Sequence, residues 1–229
     1  MKSIYLLSLL FCSSITHAAV FDAADYLAPG NQALGVFGEA LLSDPSSQGV
    51  EARYRMGISD DLNAAGIIGT GSDNRQFRLG AEAVYNLLPD VDHQFGLSGL
   101  GSALILKRQS YTAFQLRVGP MVNKTLTGFE MFPANIYVAI PFYFEFHGST
   151  ITTGSQLVLG TAWDLSDRKD WYAVTEGGVQ LANSESYILL GFGIRFGASS
   201  TRTSHKRYNQ TKDSTEDDRE YKSEDFQKK

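Results

Sequence analysis

Few residues in this chain are of a type and spacing that could do covalent chemistry. Four histidines occur in 229 residues. His147 stands near Glu145 and Ser149, the residue types of a general base, its orienting acid and a hydroxyl nucleophile. An enzyme acting on envelope lipid would need that trio at a lipid-accessible edge, yet three polar residues at a hairpin tip are what such a tip ordinarily carries. His93 lies beside Asp90 and Asp92, and one imidazole with two carboxylates is an incomplete metal set. His17 and His205 fall in an apparent leader and in a polar tail. Asp60-Asp61 and Asp217-Asp218 sit in a turn and in the tail, where carboxylates are solvated and share no acid–base pocket. "GTGSDN" (69–74) precedes a strand pattern, so a phosphate-binding loop lacks the helix it would need. No catalytic residue, metal site or cofactor is expected, and the chain is read as a non-enzyme.

The ionic residues are more regular. In "GVEARYRMGIS" (49–59), Glu51, Arg53 and Arg55 share one parity, and Val50, Ala52, Tyr54, Met56 and Ile58 share the other. A strand turns successive side chains to opposite faces, so this segment has one charged face and one oily face. The pattern recurs. Phe77, Leu79, Ala81, Ala83 and Tyr85 oppose Arg78 and Glu82; Phe114, Leu116 and Val118 oppose Arg117. Ile136, Val138, Ile140, Phe142, Phe144 and Phe146 oppose Glu145, and Ile188, Leu190, Phe192, Ile194 and Phe196 oppose Arg195. The charged faces balance, with Glu39, Glu51, Glu82, Glu145 and Glu176 against Arg53, Arg55, Arg78, Arg117 and Arg195. A closed lumen favours such matching, because an unpaired buried charge is expensive. Gly57, Gly80, Gly119, Gly160, Gly178, Gly191 and Gly193 lie on the same faces. Glycine weakens a strand, and the expectation is that these leave room for Arg and Glu to lie flat across a narrow interior.

The elements that carry these faces are strands separated by turn chemistry. "SDPSS" (43–47), "SDDLN" (59–63), "LPDVDH" (88–93), "KRQS" (107–110), "HGST" (147–150) and "DLSDRKD" (164–170) are among the breaks. Ten strands are predicted, over 33–42, 49–58, 64–70, 75–86, 94–106, 111–122, 134–146, 154–163, 171–181 and 186–197. Eight remain if a weak pair is merged. A soluble barrel would show the same alternation turned inside out, with an apolar ligand among Phe142, Phe144 and Phe146. Against it stand the height of the apolar faces, close to the roughly 9–11 residues of a tilted membrane strand, and aromatics near strand ends (Trp163, Trp171, Tyr172, Tyr187 and Phe196), read as an interfacial girdle.

The two ends differ from this middle. Lys2, the apolar run "IYLLSLLF" (4–11) and small residues before Ala18 and Ala19 predict a secretory signal peptide over 1–18. Cys12, the single cysteine, falls inside it, so the mature chain would have no disulfide, reactive thiol or Cys-based metal site. Residues 19–32 are a lead-in. From 198 to 229 Ser, Thr and mixed charges replace the oily pattern, and this tail is expected to be disordered. A net charge of −5 gives no sign of a nucleic-acid partner.

The predicted last strand, "YILLGFGIRFG" (187–197), resembles that of small outer-membrane protein A-like barrels. Gly191, Ile194 and Phe196 match the signal that bacterial outer-membrane barrels present to their assembly machinery. "YRMGISDDLNAAGIIG" (54–69) resembles the strand, Asp-rich turn and strand units of the same superfamily. The resemblance covers the leader and residues 33–197, with one departure, the tail after the terminal strand. It implies a signal peptide, an assembly-machinery partner and a Gram-negative cell outer membrane. The combined expectation is an all-β, closed antiparallel up-and-down transmembrane β-barrel of eight to ten strands, ten preferred, over 33–197. It would be a monomer in outer-membrane lipid, structural or porin-like with low conductance through an Arg/Glu-lined lumen. The tail could reach peptidoglycan or a periplasmic partner. The alternatives are the soluble periplasmic barrel with an apolar ligand and the envelope-lipid enzyme.

Overall fold

The structure is a computed structural model, and it describes residues 26–43, 46–91, 94–126, 134–165 and 170–197. The leader, residues 19–25 and the tail lie outside the described residues, as do Asp92 and His93. The strands are β1 (Gln32–Leu41), β2 (Gln48–Gly57), β3 (Leu62–Gly71), β4 (Phe77–Leu88), β5 (Gly96–Lys107), β6 (Thr112–Leu126), β7 (Ala134–Ala139), β8 (Phe142–His147), β9 (Thr150–Asp164), β10 (Trp171–Ala182) and β11 (Tyr187–Phe196). One 3-10 turn, Asp73–Arg75, precedes β4, where a strand beginning at residue 75 was expected.

Every strand pairs antiparallel with its chain neighbour except β7 and β8, which do not pair with each other, and β11 pairs with β1 from Gln32↔Phe196 to Leu41↔Tyr187. That last pairing closes the sheet and removes its edges. β7 and β8 are halves of one strand: both pair with β6 and with β9 in unbroken register on either side of Ile140-Pro141. The wall therefore has ten strands.

The interruption has a chemical cause. Ile140 N donates to Pro120 O at 3.2 Å, and Gln156 N donates to Pro141 O at 3.3 Å. Neither proline has an N–H with which to return a bond, so the ladder lacks a rung on each side of the strand at one level. Gly119 completes the close approach, since a Cβ there would stand 2.5 Å from Ile140 O.

The chain enters the barrel at Gln32 and leaves at Phe196, both at one end, called here the near end. The strand ends that flank the Asp-rich segments 59–63, 88–93 and 164–170 all lie at this end. At the far end the connections are short, down to two residues between β8 and β9.

Side-chain direction follows the parity read from the sequence. Val36, Val50, Ile68, Phe142, Leu190 and Phe192 point outward, and Phe192 is 63% exposed. Tyr172 and Tyr187 depart from the expected girdle: both point inward and are 0% and 1% exposed. They lie on the parity of Glu176 and Leu189, so nearness to a strand end misled the reading. Trp163, Trp171 and Phe196 keep the outward parity.

Candidate functional site: the barrel interior

The inward residues of β1 to β4 build an ionic cluster. Arg78 on β4 donates through Nη2 to Glu39 on β1 and reaches Glu51 on β2 through Nη1 at 3.0 Å. Arg53 Nε bonds Glu51, and its Nη1 stands 3.9 Å from Glu82. These five side chains are at most 6% exposed. Arg53 also lies over the Phe37 ring, 5.4 Å from its centroid. In a low-dielectric interior, an arginine shared by two carboxylates is geometrically well suited to pairing, because its planar fork offers several donors at fixed angles.

On the opposite side, β7 to β11 carry rings. Tyr137, Tyr143, Tyr172 and Tyr187 point inward, and each lies against a glycine on the neighbouring strand: Gly160, Gly154, Gly193 and Gly178. Phe37 of β1 lies in the same way against Gly191 of β11. A methyl group at any of these glycines would overlap the ring. The glycines thus serve aromatic side chains, which corrects the expectation that they make room for Arg and Glu. A flat ring needs the whole area over its neighbour, whereas a guanidinium can pass beside a small Cβ. Gly57 has a different task, lying under the backbone of Leu27 and Ala28, and Gly80 lies against β5.

Glu176 ties the ring side together. It accepts from the hydroxyls of Tyr137 and Tyr187, both at 2.6 Å. Around it, Leu41, Leu100, Met121, Tyr137, Ala139, Val158 and Tyr187 form an apolar cluster across the lumen.

Arg117 and Glu145, read as members of one charge set, are joined through Gln115. Arg117 Nε donates to Gln115 Oε1 at 2.6 Å, and Gln115 Nε2 donates to Glu145 Oε2 at 3.0 Å. Among the described residues Arg117 is within ion-pair distance of no carboxylate. Arg55 lies over the Tyr172 ring at 5.8 Å. Arg195, at the near mouth, pairs with Asp164 at 2.7 Å and stacks on Tyr172 at 4.7 Å.

Two further groups close the ends, and neither was read from the sequence. At the near end Tyr26 and Leu27 turn into the mouth, while Ala28, Pro29 and Gly30 are exposed. Leu27 packs with Phe37, Tyr172 and Leu189, and the Tyr26 hydroxyl donates to Ser98 Oγ at 3.0 Å. Burial pushes the Tyr26 phenol up to about 12, with the Ser98 bond opposing. The Asn63 amide, turned to match donors with acceptors, pairs with Leu27 N and O at 3.0 and 3.2 Å. The last residues of the lead-in thus contribute Leu27 to the interior at this mouth.

At the far end, Arg108 from the β5–β6 turn binds Glu145 through Nε and Nη2 at 3.1 and 2.7 Å. Its Nη1 reaches Glu185, in the β10–β11 turn, at 2.8 Å. Arg75 Nη2 meets the other oxygen of Glu185 at 2.6 Å. Burial lowers the Arg75 guanidinium to about 10 despite Glu185, and the like charges of Arg78 and Arg108 add to the fall. Burial acts the same way on Arg108, but Glu185 and Glu145 together outweigh it and hold Arg108 above its ordinary range. The sequence signal for this group was weak, since Arg75, Arg108 and Glu185 all sit in turns where charges are ordinary.

His147 is exposed and packs its ring on Tyr111, with centroids 3.9 Å apart. Glu145 is engaged by Arg108, Gln115 and the Tyr111 hydroxyl, and among the described residues no hydrogen bond joins it to His147 or Ser149. Gly191 lies under Phe37, while Ile194 and Phe196 face outward on the closing strand.

The fold defines the chain as a closed ten-stranded antiparallel β-barrel with a filled interior. No protein-family model and no curated protein matches it. Among solved structures it is similar to an outer membrane channel from Pseudomonas putida F1, with 10% identity and a TM-score of 0.44 over 77% of this chain and 100% of that one. It is also similar to the N-terminal β-barrel domain of Pseudomonas aeruginosa OprF, at 14% and 0.36 over 74% and 100%. A third is the β domain of the Bordetella autotransporter BrkA, at 10% and 0.41 over 74% and 100%. At these values each is a remote likeness.

Proposed function

We propose that this protein is an outer-membrane β-barrel that spans the bilayer in a closed form and serves the envelope structurally, with any solute passage restricted. The observation that carries the reading is the pairing of an exposed apolar wall with a buried ionic interior. Val36, Phe142, Leu190 and Phe192 meet the surroundings while Glu39, Glu51, Arg53 and Glu176 are at most 2% exposed. A water-soluble protein rarely exposes a contiguous apolar surface of more than a few hundred Å², whereas acyl chains suit such a wall and closure satisfies the strand backbone. On this reading the near end, where β1 begins and β11 ends, faces the periplasm. Gly191, Ile194 and Phe196 would serve the assembly machinery, and the tail would be free to meet peptidoglycan or a partner.

Closure follows from the contents of the lumen. Ion pairs, rings and the inserted Leu27 leave the axis occupied, so ions should not cross freely. A soluble barrel holding an apolar ligand would require Phe142, Phe144 and Phe146 inside, where this strand has Tyr143 and Glu145.

The test is membrane fractionation, heat-modifiable gel mobility and planar-bilayer recording of the folded chain. The expected result is outer-membrane partition, compact mobility before boiling, and little or no conductance. Recovery in the soluble fraction without detergent overturns the membrane reading. Large, stable open channels overturn the closed one.

A further inference from the structure

The far mouth holds a pair of arginines that the closed-barrel reading does not use. Arg75 and Arg108 approach Glu185 from two different turns, each taking one of its carboxylate oxygens. Arg108 is fixed from behind by Glu145, which is itself held by Tyr111 and Gln115. Among the described residues Arg75 is within ion-pair distance of no second carboxylate. Its side chain is 4% exposed, and its Nε and Nη1 meet no hydrogen-bond acceptor among the described residues. Buried guanidinium N–H groups without acceptors are costly, so the site is under-filled with negative charge and with acceptor atoms.

Glu185 is the one member placed to leave. Its side chain is 21% exposed, while the backbone of its turn is pinned by other bonds. Gln156 Nε2 donates to Glu185 O at 2.6 Å, Ser184 Oγ donates to Ser155 O at 2.7 Å, and Ser186 N donates to Ser43 Oγ at 2.7 Å. Rotation of one side chain would therefore clear the space between the arginines without moving the turn.

We propose that Arg75 and Arg108 form a binding site for a phosphate monoester or free phosphate, and that the Glu185 carboxylate occupies it when no ligand is present. A carboxylate has two oxygens, and both are engaged. A phosphate offers a third oxygen for the empty donors of Arg75 and carries more negative charge, matching the geometry that arginine forks recognise. The source could be solute phosphate or a lipid headgroup at the rim. The site rests on side-chain geometry at the mouth and does not depend on which membrane holds the barrel.

The test uses the full chain folded in maltoside micelles, titrated calorimetrically with inorganic phosphate and, in a second arm, with phosphatidic acid in mixed micelles. Glu185→Gln should bind about tenfold more tightly than wild type, because the competing carboxylate is gone, and Arg75→Gln about tenfold more weakly. Saturable binding with this order in the first arm identifies a soluble phosphate ligand; in the second arm alone it identifies a headgroup. Compact gel mobility checks folding, and Glu185→Ala stands in should Glu185→Gln fail to fold. Absence of saturable binding in both arms by a compact Glu185 variant overturns the proposal. So does a Glu185 variant that binds no more tightly than wild type, which is what a purely structural latch would give.

Discussion

The interior of this barrel is built in two ways. From β1 to β4 it is filled by long charged side chains that neutralise one another, with Arg78 shared by Glu39 and Glu51. From β7 to β11 it is filled by rings lying on glycines, with Glu176 accepting from two tyrosine hydroxyls. Both solutions fill interior space, but they fail differently. An ion pair fails when one partner is removed, because the other charge remains buried. A ring on a glycine fails when an atom is added.

The largest effect should come from breaking the ionic side. Arg78→Leu would leave Glu39 and Glu51 without their shared cation, and a loss of about 3–5 kcal/mol is expected. Urea unfolding in detergent micelles, followed by gel mobility, measures it. Adding Glu39→Leu should recover part of the loss. If the double variant is no better than the single, the pairing is not what stabilises that side.

The outer wall provides a control, because the two sides share one kind of exterior. Phe142 and Ile68 are exposed to similar extents, 48% and 52%, near mid-height on opposite sides. Phe142→Arg and Ile68→Arg should each cost about 2–4 kcal/mol in lipid vesicles, as charges facing acyl chains do near a bilayer midplane. Near-neutral results for both would contradict lipid contact at that level.

A smaller effect belongs to the ring side. Gly160→Ala would drive a methyl into Tyr137, whose hydroxyl is anchored on Glu176 at 2.6 Å, and about 1–3 kcal/mol should be lost to overpacking. Gly66→Ala is the matched comparison. Gly66 is exposed, and a Cβ there meets nothing within 4 Å, so no loss is expected. Glycine weakens a strand, so propensity alone would make either change neutral or favourable, and equal losses at both positions would mean that ring contact is not what Gly160 serves.

This contrast also explains what the sequence could reveal. Parity is a local property, so the alternation within each strand was readable strand by strand. Which inward residue meets which is set by register around a closed sheet. Glu39 and Arg78 are 39 residues apart, and nothing between them encodes their contact. The glycines were visible, but their partners were not, since Tyr137 and Gly160 become neighbours only once β7 pairs with β9. The near-end plug and the far-mouth arginines escaped notice for a third reason. They belong to connections, where neither period-two alternation nor charge density separates an inserted residue from a solvated one.

The weakest expected effect marks where the ionic interior gives way to solvent. Asp90, in the turn after β4, accepts from Lys124 Nζ at 2.5 Å and from Thr125 N at 2.6 Å. Burial alone would raise its carboxyl, but the Lys124 and Thr125 bonds outweigh burial and hold it below its ordinary value. A lowered folded value means that the unfolded chain takes up the proton first as pH falls. The stabilisation is then complete above the ordinary carboxylate range, near about 4, and is lost as pH drops through the lower folded value. Because this pair sits at a partly wet rim, Asp90→Asn should cost less than about 1 kcal/mol at neutral pH, and salt should shrink that further. Unfolding free energies of wild type and Asp90→Asn should therefore converge as the solution is acidified. The Arg78→Leu deficit should resist added salt, because its charges are shielded from solvent by the wall. A deficit at Arg78 that faded with salt as readily as the one at Asp90 would mean that water reaches the ionic side, and the lumen would then be open.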